Sequence, residues 1–313
     1  MSVLVVIMMY GIWSSVFSIG KWTLEYAPPL FLTASRMILA GGLLLSFLLL
    51  FRRKALSLSF KQIVSLLVLA VFSIYLTNAF EFWGLQHLSA AKTCFIYSLS
   101  PFFAAFFSYL HFGEKMTGKK WIGLGIGFLG FLPVLATQSG SEDLFNAVSF
   151  LSWPELAIMG AALCSVYGWV LLRLLVKDHE VSPLTANGIG MLFGGGLALL
   201  HSYLVESWNP TPIAAGHFAP FMGGTLLMTF ISNILCYNLY GMMLKKYTAT
   251  FLSFVGLLSP IFASLNSWLV LGEKPSWIIF LSTSVVGLGL WLVYQAELKQ
   301  GYIVQQEKEV QAN

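Results

Sequence analysis

Residues 99–115, LSPFFAAFFSYLHFGEK, return in register as residues 258–274, LSPIFASLNSWLVLGEK. The triplet Leu99-Ser100-Pro101 reappears at Leu258-Ser259-Pro260, and Gly113-Glu114-Lys115 at Gly272-Glu273-Lys274, at an offset of 159 residues. The same offset pairs Ala90 with Ala249, Phe103 with Phe262, Ala104 with Ala263, Ser108 with Ser267 and Gly130 with Gly289. One duplicated unit therefore builds most of the 313-residue chain. If each unit crosses a membrane an odd number of times, the copies point in opposite directions, a layout used by alternating-access carriers.

Composition sets the environment. The chain is 58% hydrophobic and 10% charged, with mean hydropathy +0.80, which excludes a soluble domain of this length. Apolar runs of about 20 residues mark transmembrane helices. Ten are predicted, at 3–20, 30–51, 62–84, 89–112, 119–137, 153–176, 184–205, 217–243, 248–271 and 276–296. Membrane β-strands are shorter and alternate, which these runs do not. Cys94, Cys164 and Cys236 all fall inside predicted spans and read as small apolar packing residues. The first span starts at Val3 with no basic segment before it and reads as a retained helix.

Loop charges orient the spans. Thirteen Lys and Arg fall in the even-numbered loops and the tail, among them Arg52, Arg53, Lys54, Lys119, Lys120, Lys245 and Lys246. Three, Lys21, Lys92 and Lys274, fall on the odd side. The positive-inside rule then places both termini in the cytoplasm. The expected fold is an all-α polytopic membrane protein, N-in and C-in, of ten helices in two inverted five-helix repeats. The repeats cover 1–137 and 153–296, with an extracytoplasmic linker at 138–152 and a polar, disordered cytoplasmic tail at 297–313. The first two helices of each half correspond at a shorter offset of 154, with Met37 matching Met191 and Gly41 matching Gly195.

An ordered set of motifs accompanies this layout. The first half carries Tyr10-Gly11-Ile12-Trp13 with Phe17, Pro29 with Arg36, Ser100-Pro101, Gly113-Glu114, Gly123 and Gly130. The second half repeats Ser259-Pro260, Gly272-Glu273 and Gly289. Over about residues 3–296 the chain resembles the drug/metabolite transporter superfamily, EamA type. That resemblance implies secondary transport of a small molecule across a bacterial cytoplasmic membrane and leaves the substrate open. The stretch Asn78-Ala79-Phe80-Glu81-Phe82-Trp83-Gly84-Leu85-Gln86 departs from the apolar pattern of that superfamily. There the chain is similar to the S-adenosylmethionine/S-adenosylhomocysteine exchangers of obligate intracellular bacteria, which implies S-adenosylmethionine uptake by antiport.

Glu81 is the informative side chain, the one acid of thirteen placed deep in a predicted span. A charge near the bilayer centre costs about 2.5–3.5 kcal/mol on insertion scales, so it should face the interior of the bundle. Asn78 lies three residues earlier on the same helical face. The 159-residue offset places Tyr237 and Tyr240 at the equivalent positions, with Asn233 four residues before Tyr237. Substrate would meet these two polar faces near the midplane. Lys92 sits about level with Glu81 across the turn between the third and fourth helices. Two readings fit: an interior ion pair, or separate contacts to the carboxylate and ammonium of an amino-acid-like substrate. Arg36 reads as structural, satisfying acceptors near the outer end of the second helix, with a substrate contact as the alternative.

Tyr10, Trp13 and Phe17 share a face of the first helix, and the sixth offers Tyr167 and Trp169. Such rings suit either core packing or stacking on adenine and a sulfonium. Pro101 and Pro260 are expected mid-helix, as fixed kinks or as hinges. His87, His111, His179, His201 and His217 show no ligand spacing, so no metal is expected. No phosphate loop, HExxH or GxSxG occurs, and neither an enzyme, a cofactor nor a nucleic-acid partner is expected. A proton-coupled exporter with Glu81 titrating is the alternative within transport, and a lipid-modifying membrane enzyme the distant one.

Overall fold

The computed structural model describes residues 3–88, 93, 96–97, 99–138, 152–259, 261–262 and 277–302, and among these the regular structure is helical. In chain order the main helices are α1 (Val3–Thr23), α2 (Pro29–Phe51), α3 (Phe60–His87), α4 (Ser100–Phe112) and α5 (Gly118–Gln138). They continue as α6 (Trp153–Lys177), α7 (Pro183–Val205), α8 (Phe218–Met243), α9 (Ala249–Val255) and α10 (Trp277–Lys299). Six of them, α1, α2, α3, α6, α7 and α8, are long and apolar enough to cross a membrane. Lys92, Cys94, Pro260, residues 139–151 of the predicted linker, Gly272-Glu273-Lys274 and the tail beyond Tyr302 lie outside the described residues.

Local chemistry sets the helix ends. Ser59 and Gln62 form a capping box at the start of α3, and Ser152 with Glu155 form one at the start of α6. Pro29, Pro154 and Pro183 stand in first turns, where a missing N–H costs nothing. The N-terminus of α2 is capped from the other half of the chain, because Leu30 and Phe31 donate their backbone N–H groups to Glu206 at 2.8 and 3.0 Å. Gly113 ends α4 in a left-handed conformation with φ 64°, where a Cβ would be strained.

Two helix pairs bring backbones together. A Cβ on Gly41 of α2 would lie 2.6 Å from the backbone nitrogen of Leu192, and one on Gly195 of α7 would lie 3.0 Å from that of Ile38. The contacts are reciprocal at the 154-residue offset, which relates Gly41 to Gly195 and Ile38 to Leu192. In the second pair, a Cβ on Gly289 of α10 would lie 2.8 Å from the nitrogen of Gly127, and one on Gly130 of α5 would lie 3.2 Å from that of Val286. These are reciprocal at the offset of 159. Residue i meeting j while the copy of j meets the copy of i is the contact pattern of a twofold relation.

Helices α3 and α8 share a second feature. Each widens to π geometry, over Ala70–Leu76 and Thr229–Cys236, and the two segments begin 159 residues apart. Wider turns strand backbone carbonyls, which side chains then satisfy. Thr77 donates to the Phe72 carbonyl at 2.8 Å and Asn78 to that of Ile74 at 2.7 Å. In α8, Asn238 donates to the Ile234 carbonyl at 2.7 Å.

One end of the bundle is closed by buried charge. Lys120 at the start of α5 pairs with Glu297 of α10 at 3.0 Å, and Thr248, the N-cap of α9, donates to the same carboxylate at 2.6 Å. Arg173 of α6 pairs with Glu114 at 2.5 Å and lies over the Phe112 ring. The predicted tail is corrected here: α10 runs to Lys299, and Glu297 is a fully buried anchor of the bundle. Removing one partner of a buried pair strands the other charge, at about 3–5 kcal/mol. Glu297→Ala should therefore lower the melting temperature in detergent markedly, while the double variant Lys120→Met, Glu297→Leu should recover most of the loss. Equal melting of the single variant and the parent would show that the pair contributes nothing.

Candidate functional site

A cavity of about 1030 Å³, its open mouth included, lies among α1, α2, α3, α6, α8 and α9. Tyr10, Trp13 and Phe17 enter it from α1, one helical face as the spacing predicts. Asn78 and Glu81 line it from α3, and Tyr237 and Tyr240 from α8. Seven residues singled out from the sequence thus share one space drawn from both halves of the chain.

The polar side of the cavity is a connected set. Tyr97 donates its hydroxyl to Glu81 Oε2 at 2.5 Å. Asn78 gives its amide N–H to the Ile74 carbonyl, which turns its Oδ1 toward Arg36, and Arg36 donates to it through Nη2. The Arg36 guanidinium also sits 4.8 Å from the centre of the Phe82 ring. Arg36 is buried and lines the cavity, which places it in the candidate site. The opposite side is aromatic. Trp169 of α6 lies 4.2 Å from Tyr240 and 5.0 Å from Tyr237 between ring centroids, and Trp13 lies 5.4 Å from Tyr237. Serines fill the gaps, with Ser14, Ser100, Ser232, Ser253 and Ser259 on the lining.

Three expectations are corrected. Tyr167 does not reach the cavity; its ring packs against Phe72, Phe107 and His111, and Trp169, two residues on, takes the lining position. Asn233 is fully buried away from the cavity, its amide against Met37 Sδ at 3.0 Å. Within the π segment it is Ser232, five residues before Tyr237, that lines the cavity. Pro101 stands in the first turn of α4, after a turn at Leu99 that follows helical Ile96 and Tyr97, so it marks a break in the span and not the interior of one unbroken helix. Lys92 and Pro260 lie outside the described residues. Tyr97 carried one legible signal, since the 159-residue offset relates it to Gly256, which also lines the cavity.

Among the described residues the site offers one carboxylate, one guanidinium, several hydroxyls and a bank of aromatic rings. That set suits a zwitterion carrying a flat ring system. Comparisons with known proteins agree in kind. The model of the EamA-like transporter family matches residues 1–136 and 152–295. The chain is 41% identical over 309 residues to the S-adenosylmethionine/S-adenosylhomocysteine transporter of Chlamydia muridarum, covering 98% of this chain and 96% of the relative. A protein of the same name from Chlamydia trachomatis serovar L2 is also 41% identical, over 98% and 93%. An uncharacterized inner membrane transporter of Escherichia coli, YedA, is 26% identical over 91% and 88%. A solved crystal structure aligns with a TM-score of 0.70 at 16% identity, covering 93% of this chain and 94% of the other, a likeness of fold.

The corrected α6 assignment is testable with the compound in the relatives' names. Trp169→Ala should weaken binding of labelled S-adenosylmethionine about three- to tenfold, the scale of a lost aromatic contact. Tyr167→Ala should leave it within about twofold on the same scale. The reverse order would restore the assignment to Tyr167.

Proposed function

The chain belongs to the EamA-like transporter family, and from that premise we propose that it takes up S-adenosylmethionine in exchange for S-adenosylhomocysteine by alternating access. The observation that carries this reading is the cavity, which sets Glu81, Arg36 and the aromatic wall around one space. S-adenosylmethionine brings an ammonium, a carboxylate, a sulfonium and an adenine ring. Glu81, held by Tyr97, receives positive charge. Asn78, Tyr237 and Tyr240 offer hydrogen bonds, while Tyr10, Trp13, Phe17 and Trp169 stack on adenine or face the sulfonium. The names of relatives 41% identical over 98% of the chain support the substrate pair. They are named as transporters, which favours movement of an unaltered substrate over enzymatic conversion.

In this proposal ten spans form two inverted halves, both termini are cytoplasmic, and the protein resides in a bacterial inner membrane. The excess of Lys and Arg in even-numbered loops supports the orientation. The reciprocal glycine contacts support the twofold relation, and the printed name of the Escherichia coli relative supports the location. The pairs Glu114–Arg173 and Lys120–Glu297 each join one half to the other at the end we assign to the cytoplasm. Opening that end hydrates both pairs, and an exposed ion pair is worth only about 0–1 kcal/mol. Closing it buries them again. The turn at Leu99 ahead of Pro101 supplies the hinge, and the 159-residue offset assigns the same part to Pro260.

Charge balance makes the exchange measurable. S-adenosylmethionine carries a net positive charge near neutrality and S-adenosylhomocysteine none, so each cycle moves one positive charge inward. A membrane potential contributes about 2.3 kcal/mol per charge per 100 mV. Proteoliposomes loaded with S-adenosylhomocysteine should accumulate labelled S-adenosylmethionine unchanged, and faster when a potassium diffusion potential makes the lumen negative. Glu81→Gln should reach the membrane yet lower uptake by about 10- to 100-fold, the scale of a charged hydrogen bond. Wild-type kinetics in that variant would remove Glu81 from the site, and flux driven by a pH gradient alone would replace exchange with proton coupling.

A further inference from the structure

Three Lys and Arg side chains are buried among the described residues: Arg36, Lys120 and Arg173. Two have carboxylate partners, Lys120 in Glu297 at 3.0 Å and Arg173 in Glu114 at 2.5 Å. Arg36 has none within ion-pair distance among the described residues. Its hydrogen bond goes to the neutral amide oxygen of Asn78, and its Nε–H is buried without a partner. A buried cation without an anion is costly, and folds otherwise avoid it. The residue lines the cavity at 3% exposure, on a helix whose first turn is fixed by Glu206. The Glu81 carboxylate lies within electrostatic reach but is engaged by Tyr97.

We propose that Arg36 is the specificity-determining residue that anchors the carboxylate of the transported molecule. The inference rests on the reading of the cavity as a site for an α-amino acid derivative. A guanidinium is suited to the task because its fork matches a carboxylate edge and its charge survives any physiological pH. Phe82 and Asn78 hold it from two directions. With Glu81 held separately by Tyr97, the cavity presents two opposite charges, one from α2 and one from α3. The substrate carboxylate supplies the counter-charge that the fold gives to Lys120 and Arg173 and withholds from Arg36.

The test compares two ligands on two proteins. Competition against labelled S-adenosylmethionine in proteoliposomes is measured with unlabelled S-adenosylmethionine and with its decarboxylated analogue. On the parent protein the analogue should bind more weakly by about 10- to 100-fold, the scale of charged hydrogen bonds. In Arg36→Gln, S-adenosylmethionine should weaken by a similar factor while the analogue changes little, so the ratio between the ligands collapses toward one. Arg36→Lys should restore part of the ratio, and it serves alone if the Gln variant is not monodisperse. Full discrimination retained in either variant, or none in the parent, overturns the role of Arg36 and leaves the transport reading standing. A parent protein that binds neither ligand overturns the substrate reading and this inference with it.

Discussion

The architecture depends on backbones that touch. Between helices in lipid there is no hydrophobic drive to associate, so close packing and polar contacts must supply the attraction. Gly41 and Gly195 let α2 and α7 approach until a single added Cβ would collide with backbone atoms, and Gly123, Gly130 and Gly289 do the same for α5 and α10. Both contacts join copies of the same element. The same reciprocal pattern recurs at two separate seams, and α2 serves both a seam and the cavity, packing on α7 through Gly41 and facing the cavity through Arg36.

A second constraint acts on that frame. Charge inside an apolar slab is tolerated only when paired or functional. At one end the chain meets the rule by pairing, with each ion pair linking residues from different halves. In the cavity Arg36 and Glu81 are each held by neutral groups, Asn78 and Tyr97. The first arrangement stabilises a closed end, and the second keeps two opposite charges available. The same kinds of side chain therefore do different work according to what the neighbouring helix presents.

Much of this was legible before any coordinates. The 159-residue offset located the repeat and aligned Asn78 with Tyr237 and Glu81 with Tyr240, and all four line the cavity. What failed did so for geometric reasons. Asn233 was chosen at the i, i+4 spacing of an α-helix, but Thr229–Cys236 is π-helical and sends Ser232 inward instead. Tyr167 and Trp169 stand two residues apart and so on different faces of the sixth helix, and only the packing of its neighbours shows that the inward ring belongs to Trp169. Arg36 was read from its place near a helix end. Its lack of a carboxylate partner is a tertiary fact, visible only once Lys120 and Arg173 are seen with theirs.

The lining departs from the symmetry of the repeat. Among the described residues the charged groups on the lining, Arg36 and Glu81, come from the first hundred residues, and the α8 positions equivalent to Asn78 and Glu81 carry the rings of Tyr237 and Tyr240. A twofold frame with identical halves would offer a ligand two equal poses. Replacing charge with aromatic surface in one half removes that degeneracy, since a molecule with an ionic end and a flat end fits one way round. The cost of placing an acid in the membrane on α3 is thus borne once and not twice. The α8 copy of that position, Tyr240, is fully buried against Trp169 and supplies rigid surface at no ionic cost.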